Sequence, residues 1–560
     1  MKMLYVFCKI LKIKTIYNYL SQQIYSLESK KSHVKVILFG ILIIFTIFLA
    51  NLPHRDFLYP VHIDEWVHYN HSQEMQYVGL TLYSHPLYGG GEWANNDSDG
   101  IVTRHREAGF HIFLSQFQMI SGIEWMTIFR LGPTFFSLIF VFACFFIGGI
   151  KKWGYEAAFL AALLPTTNGL LGLGFLVPVA WGMFMVPILL KICHDFEFSY
   201  RSIPFLWLLM VYVMLTHPAS TFYLTFILGI HSIIFILNGP GFWSNRLARI
   251  LALGSLPGIG WLAFLKWTGN MENFTDFRAI NSILFADTAE VHNPIYQEIF
   301  LLYGIFPTLL FLFSVLILTM SKDWKLNALV FSAIGIFFLM FLHIEGIFLS
   351  HQVLARRGWH FLMILMVFGG AYFLFALRNY QISNNMKASL RPGAINGVKY
   401  FGRFSALILI VLVLFRGVEQ RMDESFYRMV TDKHYNDALW IRNHVGDDYD
   451  GCRVSRWSEG LCLPLRDGRI LVDPVYSLAI STMSGKYTYS NSSDVWFDSY
   501  ERIMTSKEMI REGYRNVSWF DQNKVNIIYR PSSWSHPYFH KPRQDIFVTN
   551  EFYEINDGNE

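Results

Sequence analysis

The chain has 560 residues, of which 53% are hydrophobic, 17% aromatic and only 16% charged. So apolar a composition excludes a soluble globular protein and places the chain in a membrane. The formal net charge of +4 gives no nucleic-acid footprint, because the basic residues are divided among short segments between apolar runs.

Residues 1–33 carry Lys9, Lys12, Lys14, Lys30 and Lys31 and read as a cytoplasmic basic interfacial segment. Their one apolar patch is too short for a signal core, and no cleavage pattern follows it. Apolar windows long enough to cross about 30 Å of hydrocarbon then occur near 34–52, 131–150, 155–171, 175–192, 203–217 and 220–237. Further windows lie near 247–266, 297–319, 326–344, 358–377 and 404–418. The expectation is an α-helical polytopic membrane protein of about eleven transmembrane helices over residues 34–419.

Orientation follows from the loops, because Lys and Arg beside spans stay on the cytoplasmic side. Lys35 precedes the first span, and every second loop then carries cations: Lys151 and Lys152, Lys191 and Arg201, Arg246 and Arg249, Lys322 and Lys325, and Arg378, Lys387, Arg391 and Lys399. The protein is thus expected to be multi-pass in the cell membrane with its N-terminus cytoplasmic. Residues 53–125 and the segment from 420 onward are expected outside.

The external loop 53–125 is long where most connections are short, and long loops generally carry function. Residues 64–77 lack Gly and Pro and read as a helix along the membrane surface, whereas the run Gly89-Gly90-Gly91 reads as a turn-rich segment. Residues 106–120 place Phe110, Phe113, Leu114 and Phe117 on one face, the pattern of an interfacial helix. Two further external loops are expected at 266–297 and 345–359. Residues 420–560 read as a small external α/β domain, with a helix near 436–444 and strands near 469–472 and 525–529. Asn-x-Ser/Thr triplets at Asn70, Asn96, Asn273, Asn491 and Asn516 all fall on the expected outer side. Cys8, Cys144 and Cys193 fall in or beside membrane segments. Cys452 and Cys462 lie in the external domain, where either a disulfide or two thiols would fit.

The chemistry-bearing stretch is His62-Ile63-Asp64-Glu65, just past the first span. Group transfer from an activated carrier needs a carboxylate to take the nucleophile's proton and a cation to steady a departing phosphate. Asp64 and Glu65 supply the first; the alternative is an acidic pair favoured only by a helix N-terminal dipole. Arg356 and Arg357, with His351 and His360 nearby, supply the second. Snorkelling to lipid headgroups is the alternative, but cations are disfavoured in short external loops. His217, in Leu215-Thr216-His217-Pro218, and His343 with Glu345 are polar groups at membrane edges, which cap helix ends or serve a site. Asp64-Glu65-Trp66-Val67-His68 is one residue from the His-Glu-x-x-His zinc-protease signature and lacks its first ligand. Asp64 and Glu65, or Asp64 with His62, could instead hold Mg2+ or Mn2+, which oxygen ligands favour.

The order of elements, a span, an external loop opening on paired acids, two interfacial helices, a multi-span body and an external C-terminal domain, resembles a GT-C glycosyltransferase. The resemblance is carried by Asp64-Glu65, by Gly109-Phe110-His111-Ile112-Phe113-Leu114 leading to Ser121-Gly122, and by Arg130-Leu131-Gly132-Pro133. Leu215-Thr216-His217-Pro218 and Ala438-Leu439-Trp440-Ile441-Arg442 are similar as well. It implies a polyprenyl-phosphate-linked sugar donor, Asp64 as base or metal ligand with Glu65 as its partner, and Arg356 or Arg357 on the lipid phosphate. Oligosaccharyltransferases carry a Trp-Trp-Asp motif where this chain reads Arg456-Trp457-Ser458-Glu459-Gly460. That departure favours transfer of a single sugar to a lipid-linked glycan, a polysaccharide or a protein over transfer of a whole glycan to asparagine. The competing functions are a transporter or lipid flippase, which would place charges at the midplane, and a surface-polysaccharide polymerase or ligase.

Overall fold

The apolar runs become a bundle of long helices. The computed structural model describes residues 32–78, 107–165, 172–254, 303–319, 321, 323–345, 352–379, 392–423, 428, 430–445, 452–454, 462–464, 469–484, 487–488, 500–512, 520, 525–529, 539–543 and 546–549. Helix α1 (Ser32–Asn51) leads into α2 (Ile63–Val78) and α3 (Ala108–Ser121) of the first loop. The bundle continues with α4 (Trp125–Gly148), α5 (Gly154–Ala162), α6 (Pro178–Phe196), α7 (Ile203–Thr216) and α8 (Pro218–Asn238). A helical stretch at 243–254 follows, and then α9 (Ile305–Leu318), α10 (Trp324–Ile344), α11 (Gln352–Arg378) and α12 (Pro392–Asp423). Among the described residues seven helices are long and apolar enough to cross a membrane, and α7 and α9 are shorter apolar helices. Residues 255–266 of the span expected at 247–266, residues 297–302 of that at 297–319 and residues 166–171 of that at 155–171 lie outside the described residues.

Local sequence explains where the helices break. Pro178 and Pro218 occupy first helical positions, where the missing N–H costs nothing. Gly148 and Gly154 pack backbone on backbone: a Cβ on Gly148 would lie 2.6 Å from the Gly154 nitrogen. That close approach folds α4 onto α5 through a short π-helical turn at 149–153, where Lys151 and Lys152 sit. Helix α4 starts at Trp125, before the apolar window, because polar Thr127 and Arg130 interrupt hydropathy without interrupting a helix.

Within the bundle α11 is the axis, 72% buried over its apolar window, whereas α12 is 17% buried and presents Phe401, Phe404, Leu407 and Phe415 outward. Such outward apolar rows are what a lipid solvent requires. Helix α11 packs against α5, α9, α10 and α12, and α4 packs against α1, α5 and α6. Helix α6 meets α8 at Gly182, whose Cβ position lies 1.9 Å from Ser220 Oγ, so nothing larger than glycine fits.

The C-terminal part opens with α13 (Asp432–His444) and a two-stranded antiparallel ribbon of β1 (Cys452–Val454) and β2 (Cys462–Pro464). The side chains of Cys452 and Cys462 lie outside the described set. A five-stranded sheet of order β4-β3-β5-β7-β6 follows. Here β3 (Arg469–Leu471) pairs in parallel with β4 (Tyr487–Thr488) and β5 (Val525–Tyr529). The antiparallel β7 (Ile546–Thr549) and β6 (Phe539–Arg543) complete it, with Ile527 opposite Val548 and Tyr529 opposite Ile546. Helices α14 (Pro474–Ser484) and α15 (Tyr500–Glu512) accompany the sheet, and Tyr529 donates its hydroxyl to Asp437 Oδ2 of α13 at 3.1 Å.

This part is tied to the first loop. Tyr59 donates to Asp432 Oδ1 at 2.7 Å, Arg428 to the Pro53 carbonyl at 3.2 Å, and Asn70 Nδ2 to Thr482 Oγ1 at 2.9 Å, while α14 packs on α2. Asn70 is therefore a buried bond donor and not an open glycan acceptor; the other four triplets lie outside the described residues. Substituting Gly182→Val should wedge α6 from α8 and cost about 1–3 kcal/mol. A melting curve in detergent checks this, and an unchanged midpoint would contradict the packing.

Candidate functional site

Helix α2 begins at a polar box. Its N-cap, His62, accepts the Asp64 N–H on ring Nδ1 at 3.0 Å, the part usually taken by serine or threonine. Glu65, three residues on, returns Oε2 to the N–H groups of Val61 at 2.9 Å and His62 at 3.2 Å, which closes a capping box. Its other oxygen, Oε1, accepts the N–H of Leu176 at 2.7 Å. Leu176 belongs to the segment leading into α6, so one carboxylate fastens the external loop to the bundle. Glu65 has no solvent exposure. Burial pushes its carboxyl up to about 7, and the three backbone donors pull the other way.

The two adjacent acids therefore differ. Glu65 is filled by backbone donors on both oxygens. Asp64 has a side chain 36% exposed, with Oδ1 3.9 Å from His62 Nδ1, which already accepts the Asp64 N–H. Both Glu65 oxygens and His62 Nδ1 already accept backbone N–H groups, so within the pair Asp64 is the group with acceptor capacity left for a Mg2+ or Mn2+ ion.

Helices α2 and α3 are clamped together. Gln76 donates to the Ser115 carbonyl at 3.1 Å and to Gln118 Oε1 at 2.7 Å, and Ser115 donates to the Ser72 carbonyl. Phe110 and Leu114 are fully buried and Phe117 is exposed, so the face expected to lie in the interface is turned partly into the protein. At Gly109 α3 comes against the end of α7; a Cβ there would sit 3.0 Å from Thr216 Oγ1. Glu107 precedes α3 without capping it, and its carboxylate reaches across: Oε2 lies 3.9 Å from His68 Nδ1, Oε1 3.9 Å from His217 Nε2. His68 Nδ1 is 3.0 Å from His111 Nε2. His68, Glu107 and His111 are the one group of three His, Cys, Asp or Glu side chains among the described residues whose ligand atoms all fall within 4.8 Å of one another. Asp64 stands one turn before His68 on the same face of α2.

His217 sits at the break between α7 and α8. Its Nδ1 accepts the Ser220 N–H at 3.1 Å, which caps α8 and directs Nε2 toward Glu107. Fourteen residues carry α7 about 21 Å, short of a 30 Å hydrocarbon core, so helix ends occur inside the bundle at this point. Besides Glu107, Arg357, His360 and His68 are charged or titratable neighbours of His217. Arg357 and His360 lie one turn apart on α11; His360 is buried and Arg357 half-buried. Gly358 between them allows contact with α10, since a Cβ there would lie 2.4 Å from Met340 Cε. Arg356 is in α11 with its side chain outside the described set, and His351 lies outside the described residues. His343 is buried near the end of α10, with Glu345 as its C-cap.

One layer thus gathers His68, Glu107, His111, His217, Arg357 and His360 from four elements, with Asp64 one turn before His68 on α2. Sequence reasoning named Asp64, Arg357, His217 and His360. It missed Glu107 and passed over His68 and His111, although Glu107 and His111 are spaced i, i+4, one turn of a helix. That spacing was overshadowed by the phenylalanine stripe.

No protein-family model matches this chain, and no curated protein does. Solved structures do. The oligosaccharyltransferase of Archaeoglobus fulgidus in its apo form is 14% identical, with 90% of this chain and 70% of that chain covered at a TM-score of 0.59. The same archaeal enzyme, AglB, in complex with an inhibitory peptide and a dolichol-phosphate gives 0.56 at 14% identity, again covering 90% and 70%. ArnT from Cupriavidus metallidurans bound to undecaprenyl phosphate gives 0.52 at 10% identity, with 93% of this chain and 98% of that chain covered. These are GT-C membrane glycosyltransferases, and this chain shares their polytopic fold.

Glu65→Gln should place an amide donor against a backbone donor and destabilise the protein by about 1–3 kcal/mol. The native carboxyl stays protonated in the folded state up to about 7, while the unfolded chain ionises nearer the ordinary glutamate value of 4.5. Its contribution is full below the lower value and lost as pH rises through the upper. The gap in melting midpoint between native protein and variant should therefore narrow from pH 5 to pH 8; a constant gap would contradict the linkage.

Proposed function

We propose that this protein is an inverting membrane glycosyltransferase that moves a sugar from a polyprenyl-phosphate carrier to an acceptor on the outer face. The observation that carries this reading is the layer in which His68 of the first loop, one turn after Asp64 on α2, meets His217 and Arg357 from the bundle. Dolichol-phosphate and undecaprenyl phosphate, the lipids bound in two structural neighbours, are the pattern for the donor's carrier.

The chemistry needs few groups. The acceptor hydroxyl loses its proton to Asp64 as its oxygen attacks the anomeric carbon. The bond from that carbon to the carrier phosphate breaks on the opposite face, which inverts the configuration. Arg357, with His217 and His360 beside it, compensates the charge left on the phosphate; a guanidinium fork suits two phosphate oxygens. Arg356 and His351 are the further phosphate candidates near the start of α11. Glu65 acts through the backbone, as a positioning residue that holds Asp64 in the first turn of α2. No step needs Mg2+ or Mn2+ at the Asp64 and Glu65 pair.

The acceptor is a lipid-linked glycan, a surface polysaccharide or a protein, and the absence of Trp-Trp-Asp at residues 456–460 favours one sugar per transfer. The N-terminus is cytoplasmic, and the C-terminal part, tied to α2 through Asn70 and Thr482, stands outside over the same layer.

Asp64→Asn should lower transfer by about 100-fold or more while leaving membrane insertion and binding of the lipid-phosphate donor intact. Arg357→Ala should weaken donor binding, with partial rescue by Arg357→Lys, measured as sugar transferred from a defined polyprenyl-phosphate donor. Full turnover in Asp64→Asn would end the assignment.

A further inference from the structure

We propose that His68, Glu107 and His111 bind a divalent cation of the zinc class in the first loop. The site is separate from Asp64 and Glu65, and it stands whether or not the transfer reaction does. Two imidazoles and one carboxylate suit a borderline metal such as zinc, whereas magnesium and calcium prefer oxygen ligands throughout.

The spacing fits. Zinc–nitrogen bonds of 2.0–2.1 Å in a tetrahedron hold donor atoms about 3.3 Å apart. Here His68 Nδ1 lies 3.0 Å from His111 Nε2 and 3.9 Å from Glu107 Oε2, which bracket that value. His68 Nδ1 faces a second ring nitrogen and a carboxylate oxygen at once. A single proton on Nδ1 serves one of them, while a cation between the three serves all.

The surroundings are those of a built site. His68 and His111 are 7% and 1% exposed. The ligands ride on two helices locked by the Gln76 and Ser115 bonds, which fixes them more closely than loops would. His217 directs Nε2 at the other oxygen of Glu107, the arrangement that orients a ligating carboxylate from behind. The His71 ring stands edge-on to His111 with centroids 5.1 Å apart and restrains its rotation. The three protein ligands found among the described residues leave one tetrahedral position for water or substrate, which is the form of a reactive or exchangeable centre more than a purely structural one.

The test uses untagged full-length protein in detergent, stripped with a chelator, then exposed separately to Zn2+ and Mg2+ and desalted. Metal is counted by mass spectrometry and melting is followed in parallel. The expected result is about one zinc per chain with a raised melting midpoint, and no retained magnesium. His68→Ala and His111→Ala should each lose the zinc, and Asp64→Asn should keep it. X-ray absorption of the zinc-loaded native protein provides a reading independent of variant folding, with two imidazoles and oxygen in the first shell. No zinc above background, zinc kept by both histidine variants, zinc lost from Asp64→Asn, or a shell of oxygen alone would each overturn the proposal. Metal binding is read without donor or acceptor, so its failure is distinct from failure of the transferase reading.

Discussion

The carboxylate of Glu65 is the contact on which the rest of the site depends. One oxygen closes the first turn of α2 on Val61 and His62; the other takes the N–H of Leu176, more than 100 residues away in the chain. A buried acid with three backbone donors has no freedom to do anything else. Those donors offset part of its desolvation cost, and removing one acceptor would leave a buried N–H unsatisfied. Because Asp64, His68 and His71 all ride on α2, their placement over the bundle follows from this tie.

Broken helices deliver the remaining groups. His62 caps α2, His217 caps α8 and Glu107 precedes α3, so two of the layer's polar side chains, and His62 close to Asp64, stand at helix ends. Helix ends carry unsatisfied backbone donors and partial charge, and inside a membrane bundle they need polar partners. His62 and His217 satisfy backbone donors there, while Gly109, Gly182 and Gly358 let α3, α6 and α11 pack closely against their neighbours.

Much of this was legible. The helix expected at 64–77 runs Ile63–Val78, that expected at 106–120 runs Ala108–Ser121, and the strand at 525–529 has the bounds read from its sequence. Apolar periodicity and β-branched runs report local structure well. What sequence could not separate was Asp64 from Glu65, since their fates diverge only when Leu176 arrives from elsewhere in the chain. Looking back, Glu65 three residues after His62 is a capping-box spacing with imidazole in the place of a hydroxyl. The expected span from 155 stops as a helix at Ala162, where Pro165 and the residue before it cannot continue helical hydrogen bonding. Glu107 and His111 carried the i, i+4 signal, but their partner His68 lies across a long loop and no periodicity joins them.

If the first-loop acid and the α11 cation act on the two ends of one bond, a structure of the full-length protein with a polyprenyl-phosphate sugar bound will show the phosphate against Arg357 and His217, with the anomeric carbon turned toward Asp64. A phosphate seated at the opposite, lysine-rich end of the bundle, or one that leaves Asp64 on the far side of the lipid, would contradict it.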